Sequence, residues 1–120
     1  MYIDKDLVAA SATPLVLGIL AEGESYGYAI LKRVNDLSAG QIQWSDGMLY
    51  PLLHRLERLG LVTSSWTRSE SGRRRKHYAI TDAGREMLVE RRTQWEAMAD
   101  MLDQVWRSVQ PPPSAAGGWA

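Results

Sequence analysis

A short basic stretch contains the side chains of this sequence with the clearest chemistry. Between residues 68 and 77 there are five cations against one acid, Glu70: Arg68, Arg73, Arg74, Arg75 and Lys76. Clustered arginines neutralise phosphate groups and release their counterions, and an arginine can also enter a DNA minor groove. On its own such a run is more often a solvated loop, so its role depends on the elements that carry it.

The composition excludes several other kinds of chemistry. The sequence holds 14 Lys and Arg against 14 Asp and Glu, so nucleic-acid binding would have to come from local clustering of charge. There is no cysteine, which removes thiol nucleophiles, disulfides and cysteine-based zinc sites. The two histidines, His54 and His77, belong to no HExxH, P-loop or serine-elbow pattern. We therefore expect no enzyme activity, no cofactor and no metal.

No segment of the sequence predicts export or membrane insertion. The first residues, MYIDKDLVAA, include early acids and no long apolar stretch, unlike a secretory signal. No apolar run reaches the length of a membrane span. With the absence of cysteine, which fits a reducing compartment, this leads us to expect a cytoplasmic protein without a membrane partner.

The segment 44–60, WSDGMLYPLLHRLERLG, predicts a capped amphipathic helix. Ser45 suits the N-cap, and Asp46 places a negative charge at the positive end of the helix dipole. Leucines at positions 49, 52, 53 and 56 follow the spacing of one buried helical face. Gly60 readily takes the left-handed conformation that ends many helices.

The outward face of this helix carries a mixture of polar, aromatic and backbone-exposing positions. At about 100° per residue, the residues pointing away from the leucines are Gly47, Tyr50, Pro51, His54 and Arg58. One cation, one phenol, one imidazole and one bare backbone position suit a duplex groove. A solvated face on a core helix shows the same pattern, so this helix alone does not decide between the two.

Two further helices are predicted before this segment. The first covers residues 5–21, where Pro14 either stands at the first helical position or interrupts a longer helix. The second covers residues 26–37 and is capped by Ser25 after the turn EGES. Gly27 within it predicts close approach of a neighbouring helix, since glycine otherwise destabilises a helix interior.

The apolar period changes from helical to strand-like after Gly60. LVTSSWTR at 61–68 and RRRKHYAIT at 73–81 predict two strands, and SESG between them predicts a turn, which makes a hairpin. Residues 41–44 predict a loop or a short strand. Three helices followed by a basic hairpin predict a mostly α (α+β) fold, a winged helix-turn-helix, over residues 1–81.

The last predicted helix carries a heptad-like apolar seam. This helix covers residues 82–109 and is capped by Thr81 or Asp82. The seam consists of Leu88, Trp95, Met98, Leu102, Val105 and Val109. Arg91 occupies the one gap in its three- and four-residue steps. A helix of about 40 Å is too long to be buried in a domain of this size, so we expect a homodimer through this seam. The tail 110–120, QPPPSAAGGWA, predicts disorder.

Three motifs make the sequence resemble the PadR-like transcriptional regulators, which are small winged-helix repressors. They are LAEGESYGYAI at 20–30, WSDGMLYPLLHRLERLGLV at 44–62 and GRRRKHYAIT at 72–81, followed by AGR and the helix of Trp95. The similarity covers about residues 5–109, and the single last helix resembles the short subfamily. The resemblance implies a homodimer that binds an inverted-repeat promoter site in double-stranded DNA and usually represses transcription.

The resemblance also implies control by an aromatic small molecule. In multidrug-sensing members a tryptophan of the last helix stacks on flat ligands between the subunits, and Trp95 stands at the corresponding position. Met98 offers an adaptable wall, and Leu15 or Thr13 of the first helix can close the side of such a site. The alternative is that Trp95 is a large seam residue in a dimer that binds no ligand.

The capped helix and the basic hairpin together favour DNA binding. We expect Tyr50, Pro51, His54 and Arg58 at the major groove, with Ser45 and Gly47 at its edge, and residues 73–76 on the backbone or in the minor groove. A winged helix used only for protein contacts is a rival hypothesis, but it has little use for four consecutive basic residues. RNA binding is a weaker hypothesis, because the sequence predicts no exposed aromatic stacking array.

Overall fold

Helices and a small antiparallel sheet make up the protein, of which the computed structural model describes residues 3–109. The elements of this part are α1 (Lys5–Glu22), β1 (Ser25–Tyr26), α2 (Gly27–Leu37), α3 (Asp46–Arg58), β2 (Val62–Arg68), β3 (Arg74–Ile80) and α4 (Asp82–Ser108). The strand order is β1-β3-β2, and both strand pairs are antiparallel. This mostly helical architecture with a long last helix confirms the predicted fold class. The predicted disordered tail, 110–120, lies outside the described residues.

The hydrophobic core lies among the first three helices and the sheet. It contains Val16, Leu17, Ile19, Leu20, Ile30, Val34, Leu49, Leu53, Leu56, Leu61, Val62 and Tyr78. Helix α1 contributes residues from more than one of its sides to this core, Val16 and Leu17 as well as Ile19 and Leu20, because it packs against both α2 and β3. Pro14 lies inside α1, so the alternative that placed it at the start of a helix is wrong.

The structure corrects the start of α2. Ser25 pairs with Tyr78 and Tyr26 pairs with His77, so the predicted turn contains a two-residue strand and Ser25 is not the N-cap. Tyr26 occupies the N-cap position in extended conformation, and its side chain makes no capping hydrogen bond. Residues 41–44 form no strand, so that alternative is also wrong.

The described residues divide into two units, with the boundary between residues 89 and 90, and α4 continues through this boundary. Helix α4 has 27 residues and is therefore about 40 Å long. Within residues 3–109 no helix has the length and apolar character needed to cross a membrane. The same residues include no group of three or more acids or histidines placed to hold a metal ion.

Candidate nucleic-acid interface

Helix α3 exposes a polar face to solvent. Ser45 stands at its N-cap in extended backbone conformation, but the Ser45 hydroxyl makes no capping hydrogen bond. The predicted N-cap position is therefore right and the predicted side-chain contact is wrong. The exposed residues include every one expected on this face: Ser45, Gly47, Tyr50, Pro51, His54 and Arg58. These side chains are accessible to a partner along the whole length of the helix.

The opposite face of α3 fixes the helix in the core. Leu49, Leu53 and Leu56 are fully buried, and Leu52 is half-buried against the same cluster. Burial of one leucine side chain stabilises a fold by roughly 1.5–3 kcal/mol, so these contacts hold α3 firmly. The exposed face is thus presented from a rigid element, as a recognition surface requires.

The end of α3 is closed by paired backbone hydrogen bonds. Gly60 has a φ of 76°, as predicted for a left-handed helix end. Its N–H donates to the carbonyl of Glu57 at 3.0 Å, and the N–H of Leu61 donates to the carbonyl of Leu56 at 2.9 Å. Such a closure turns the chain sharply and directs it into β2.

Thr81 joins the end of α3 to the start of α4. Its hydroxyl donates to the Gly60 carbonyl at 2.7 Å and accepts from the Gly84 N–H at 3.0 Å, so Thr81 is the residue that caps α4. Gly84 packs against the Leu61 carbonyl, where an added Cβ would overlap the oxygen. The beginning of α4 is therefore fixed to the element that carries the exposed polar face.

Strands β2 and β3 form a hairpin, residues 62–80, that we call the wing. Its register runs from the pair Val62–Ile80 to the pair Arg68–Arg74, and the Ser69 N–H donates to the Arg73 carbonyl at 2.8 Å to close the loop. Arg68 and Arg74 therefore face each other directly. Like charges in this arrangement repel, and a bound anion would relieve the repulsion.

The basic run is divided between the connecting loop and β3. Only Arg73 lies in the connecting loop, whereas Arg74, Arg75 and Lys76 belong to β3 and alternate between its faces. Arg75 and Lys76 are half-buried and belong to the strand predicted over 73–81, so only Arg73 and Arg74 stand at the tip of the hairpin. The charge thus extends from the tip of the wing back toward the helices.

Aromatic rings hold the cations of β3 in place. The guanidinium carbon of Arg74 lies 4.6 Å from the ring centre of Trp66, and that of Arg75 lies 4.4 Å from the ring centre of Tyr26. Trp66 is 57% exposed, and Lys76 Nζ is 6.0 Å from its ring centre. These cation–π contacts limit the directions of the charged groups and reduce the entropy lost when they bind a ligand.

Glu57 connects α3 to the wing. Its carboxylate accepts a hydrogen bond from the Ser64 hydroxyl and lies 4.0 Å from Lys76 Nζ. Lys76 is therefore partly neutralised. Within residues 3–109 no carboxylate lies within ion-pair distance of the other cations of this region, Arg58, Arg68, Arg73, Arg74 and Arg75.

A groove of about 730 Å³ lies between α3 and the wing. Tyr50 and His54 line it from α3, the cations 73–76 line it from the wing, and the start of α2 closes one end. The Tyr50 hydroxyl lies so close to Gly27 that a Cβ there would overlap it. This contact confirms the predicted close approach of a neighbouring helix at Gly27.

Tyr78 lies at the base of the groove. It is fully buried, and its hydroxyl has no hydrogen-bond partner among the described residues. Burial raises the pKa of Tyr78, with smaller contributions from the neighbouring Glu57 and Tyr50. The hydroxyl therefore stays protonated at neutral pH and can donate a hydrogen bond.

Sequence reasoning missed four aromatic residues of the groove, Tyr26, Tyr28, Trp66 and Tyr78. Trp66 could have been found from the hairpin register, which pairs it directly with Lys76. Tyr26 and Tyr28 carry no such local signal, because their place depends on β1 pairing with a distant strand. The observed interface is thus more aromatic than the predicted one.

The second unit carries an apolar stripe on α4. Its exposed apolar residues are Trp95, Met98, Met101, Leu102, Val105, Trp106 and Val109, of which Met101 and Trp106 are absent from the predicted seam. At about 100° per residue these side chains span roughly 140° of the helix surface. Leu88, the first residue of the predicted seam, is half-buried and packs against the core of the first unit.

The residues predicted to bind an aromatic ligand are divided between the two units. Trp95 is 38% exposed and Met98 is 48% exposed, and both lie on the apolar stripe of α4. Thr13 and Leu15 are half-buried in α1, where Leu15 packs against the core. The structure brings Trp95 and Met98 together on one helical face, and the complete ligand site stays a prediction.

The fold and the groove define the class of the protein. Helices α2 and α3, followed by the basic wing, form a winged helix-turn-helix domain, as predicted. Residues 16–90 match the transcriptional regulator PadR-like family, and the chain belongs to this family of transcriptional regulators.

Relatives from three organisms show the extent of the similarity. Transcriptional regulator Rv3488 of Mycobacterium tuberculosis is 39% identical over 84 residues, which cover 70% of this chain and 75% of that protein. Transcriptional regulator YqjI of Escherichia coli is 33% identical over 73% of this chain, but the match spans 41% of YqjI. The crystal structure of a PadR family transcriptional regulator from Eggerthella lenta has 35% identity and a TM-score of 0.76, covering 87% of this chain and 88% of that one.

Proposed function

We propose that the protein is a repressor that binds an inverted-repeat promoter site in duplex DNA as a homodimer. The observation that carries this proposal is the groove between α3 and the wing, which combines an exposed polar helix face with several cations that have no carboxylate partner in the described part of the chain. Phosphate is the partner that satisfies such a surface, because each neutralised phosphate releases condensed counterions. The membership in a family of transcriptional regulators supports the same partner.

Helix α3 is the element we assign to the major groove. His54 and Arg58 are exposed and one helical turn apart, so both can reach neighbouring base edges from one face. Ser45, Gly47 and Pro51 present little side-chain bulk, which allows the helix backbone to approach the duplex. The buried leucines behind this face keep it rigid while it reads the bases.

The wing is the element we assign to the DNA backbone and the minor groove. Arg73 stands in the loop, and Arg74 is exposed beside it on β3. Neither guanidinium has a carboxylate partner within residues 3–109, so both can supply sequence-independent affinity, and we assign one of them to reading minor-groove width. Arg75 and Lys76 extend the same charge toward α3.

The apolar stripe of α4 is the surface we assign to dimerisation. Trp95, Met98, Leu102, Val105 and Val109 alternate in steps of three and four residues, and each is exposed in the single chain. Met101 and Trp106 widen this stripe beyond a minimal seam. Packing against a second copy buries these side chains, and a two-fold dimer matches the symmetry of an inverted repeat.

An aromatic effector is the regulatory part of the proposal. Two copies of Trp95 near the crossing point of paired α4 helices can stack on both faces of a flat molecule, with Met98 as an adaptable wall. Thr13 and Leu15 of α1 are proposed to close the side of that site. Binding there changes the crossing angle of the α4 helices, and with it the spacing of the two α3 helices. The effector thus binds more tightly to a conformation that does not fit the operator, and this difference in affinity releases the protein from DNA.

The proposal is tested by selection of binding sites from a random pool of duplexes, together with footprinting on the upstream region of the protein's own gene. We expect the pool to converge on an inverted repeat whose half-sites lie about one helical turn apart. A pool that does not converge, combined with an unprotected upstream region, would show that the groove does not recognise DNA sequence.

A further inference from the structure

The first turn of α2 opens onto the groove without a cap. Tyr26 at the N-cap makes no side-chain capping hydrogen bond, and the first turn contains no acidic residue. The first N–H groups of a helix have no partner within the helix, and they form the positive end of its dipole. Gly27 and Tyr28, the first two residues of α2, both line the groove. Backbone donors therefore lie beside the groove.

The unused hydroxyl of Tyr78 is an independent sign of a missing acceptor. Tyr78 is 0% exposed and lines the same groove, and its hydroxyl has no partner within residues 3–109. Buried polar groups in folded proteins are almost always hydrogen-bonded, so an orphaned one requires an explanation. The raised pKa of Tyr78 keeps its hydroxyl in the donor form.

Two more groups lie beside this end of the groove. The Tyr50 hydroxyl packs against Gly27, and Arg75 stacks on Tyr26, the residue before Gly27, at 4.4 Å. Strand β1 pairs with β3 only as far as His77, which leaves the edge of β3 open next to Arg75. The Tyr50 hydroxyl can donate a hydrogen bond, and Arg75 adds a positive charge beside the start of α2.

A neighbouring acid does not cancel this charge. Glu57 is the acid that contributes to the raised pKa of Tyr78, and it lies on the α3 side of the wing. Its carboxylate accepts the hydrogen bond of Ser64 and lies 4.0 Å from Lys76 Nζ. Lys76 offsets its charge, so the site keeps a net attraction for an anion.

We propose that the start of α2 and the hydroxyls of Tyr50 and Tyr78 bind one phosphate group of the DNA backbone, with the positive charge of Arg75 beside the start of α2. This inference rests on the proposed function and refines it, because it assigns Tyr50 to a backbone contact and not to base reading. A phosphate bound by both α2 and α3 fixes the height and register of α3 in the major groove. Base reading is then left to residues farther along the exposed face, such as His54 and Arg58.

The test uses the full chain and a duplex that the wild-type protein selects from a random pool. Each phosphate of one half-site is replaced in turn by a neutral methylphosphonate, and affinity is measured by fluorescence anisotropy for wild type, Tyr78→Phe and Tyr50→Phe. We expect one position at which wild type loses about tenfold in affinity and both variants lose less than about threefold, because their contact is already absent. Arg33→Gln is the matched control, since Arg33 pairs with Glu22 outside the groove and should keep the wild-type sensitivity.

The outcomes separate the site from the proposed function. Tyr78→Phe removes only an unpartnered hydroxyl and should unfold at or above the wild-type temperature. Equal losses for wild type and both variants at every position would overturn the phosphate site and leave DNA binding intact. A wild-type protein that selects no duplex would overturn the proposed function and the site with it.

Inorganic phosphate tests the other source of the same chemical group. The unfolding midpoint is compared in phosphate and in chloride at equal ionic strength, for wild type and Tyr78→Phe. We expect no phosphate-specific rise at millimolar concentration, because the DNA backbone supplies the group together with many other contacts. A rise that Tyr78→Phe abolishes, without a methylphosphonate effect, would overturn the DNA assignment in favour of free phosphate.

Discussion

Replacing Arg73 and Arg74 of the wing by alanine should weaken binding to every duplex and reduce its salt dependence. Both side chains are exposed, and neither has a carboxylate partner within residues 3–109. In a homodimer the two substitutions remove about four phosphate contacts, so the slope of log K against log salt should fall in magnitude by about 3.6. At ~0.15 M salt each contact contributes roughly five- to sixfold, and the variant should bind about 10³-fold more weakly.

Fluorescence anisotropy with a labelled duplex between ~0.05 and ~0.4 M salt measures this slope. The matched control is Lys32→Ala with Arg33→Ala, which removes the same formal charge from two side chains held in ion pairs with Asp36 and Glu22. The control should keep the wild-type slope to within about one. The reasoning is wrong if the wing variant keeps the wild-type slope, or if the control loses as much affinity as the wing variant.

Base reading, dimerisation, effector binding and alkaline stability provide further tests. His54→Ala or Arg58→Ala should change the sequence that a random pool yields, at about 1–3 kcal/mol for a lost base contact; equal losses on selected and random duplexes would make them backbone contacts. Leu102→Asp should produce monomers in sedimentation and abolish tight operator binding, and a monomeric wild type at micromolar concentration would contradict the α4 seam. Trp95→Phe should bind planar cationic dyes or phenolic acids more weakly than wild type, and equal binding would make Trp95 a structural residue. Because burial raises the pKa of Tyr78, its contribution to stability is complete below pH ~10 and declines as the pH rises through the folded-state pKa; a pH series of unfolding midpoints that is identical in Tyr78→Phe would contradict this.

The element with the strongest local pattern was the easiest to predict. The leucines of α3 repeat at helical spacing, and Gly60 supplies the left-handed residue that ends the helix at φ 76°. Both signals depend only on residues close together in the sequence, so they can be recognised without knowing the fold. The hairpin was predicted for the same reason, because the turn chemistry of SESG lies between two strand-like stretches.

Features that depend on pairing across the fold could not be predicted in this way. Strand β1 consists of two residues, and it exists because Ser25 and Tyr26 find partners on β3, far along the sequence. The half-burial of Arg75 follows from its contact with Tyr26, so it depends on the same pairing. Ser45 is a residue type that favours the N-cap, but its hydroxyl makes no capping hydrogen bond, because a local preference does not fix a side-chain rotamer.

The width of the α4 stripe was also underestimated. A strict heptad pattern selects Trp95, Met98, Leu102, Val105 and Val109 and passes over Met101 and Trp106, which lie at the two edges of the exposed apolar surface. A straight helix has 3.6 residues per turn, so a stripe of about 140° includes positions that a 3.5-residue repeat omits. Dimer-disrupting substitutions should therefore be sought at Met101 and Trp106 as well.

Hydroxyl-radical footprinting of the wild-type protein on a duplex selected from a random pool tests the central claim most directly. Two recognition helices related by two-fold symmetry should protect two tracts whose centres lie about 10–10.5 base pairs, or a multiple of that spacing, apart. The protection should appear at ~0.15 M salt and weaken steeply as salt rises. Absence of protected tracts at micromolar protein, or uniform protection along the whole duplex, would contradict sequence-specific binding by the groove between α3 and the wing.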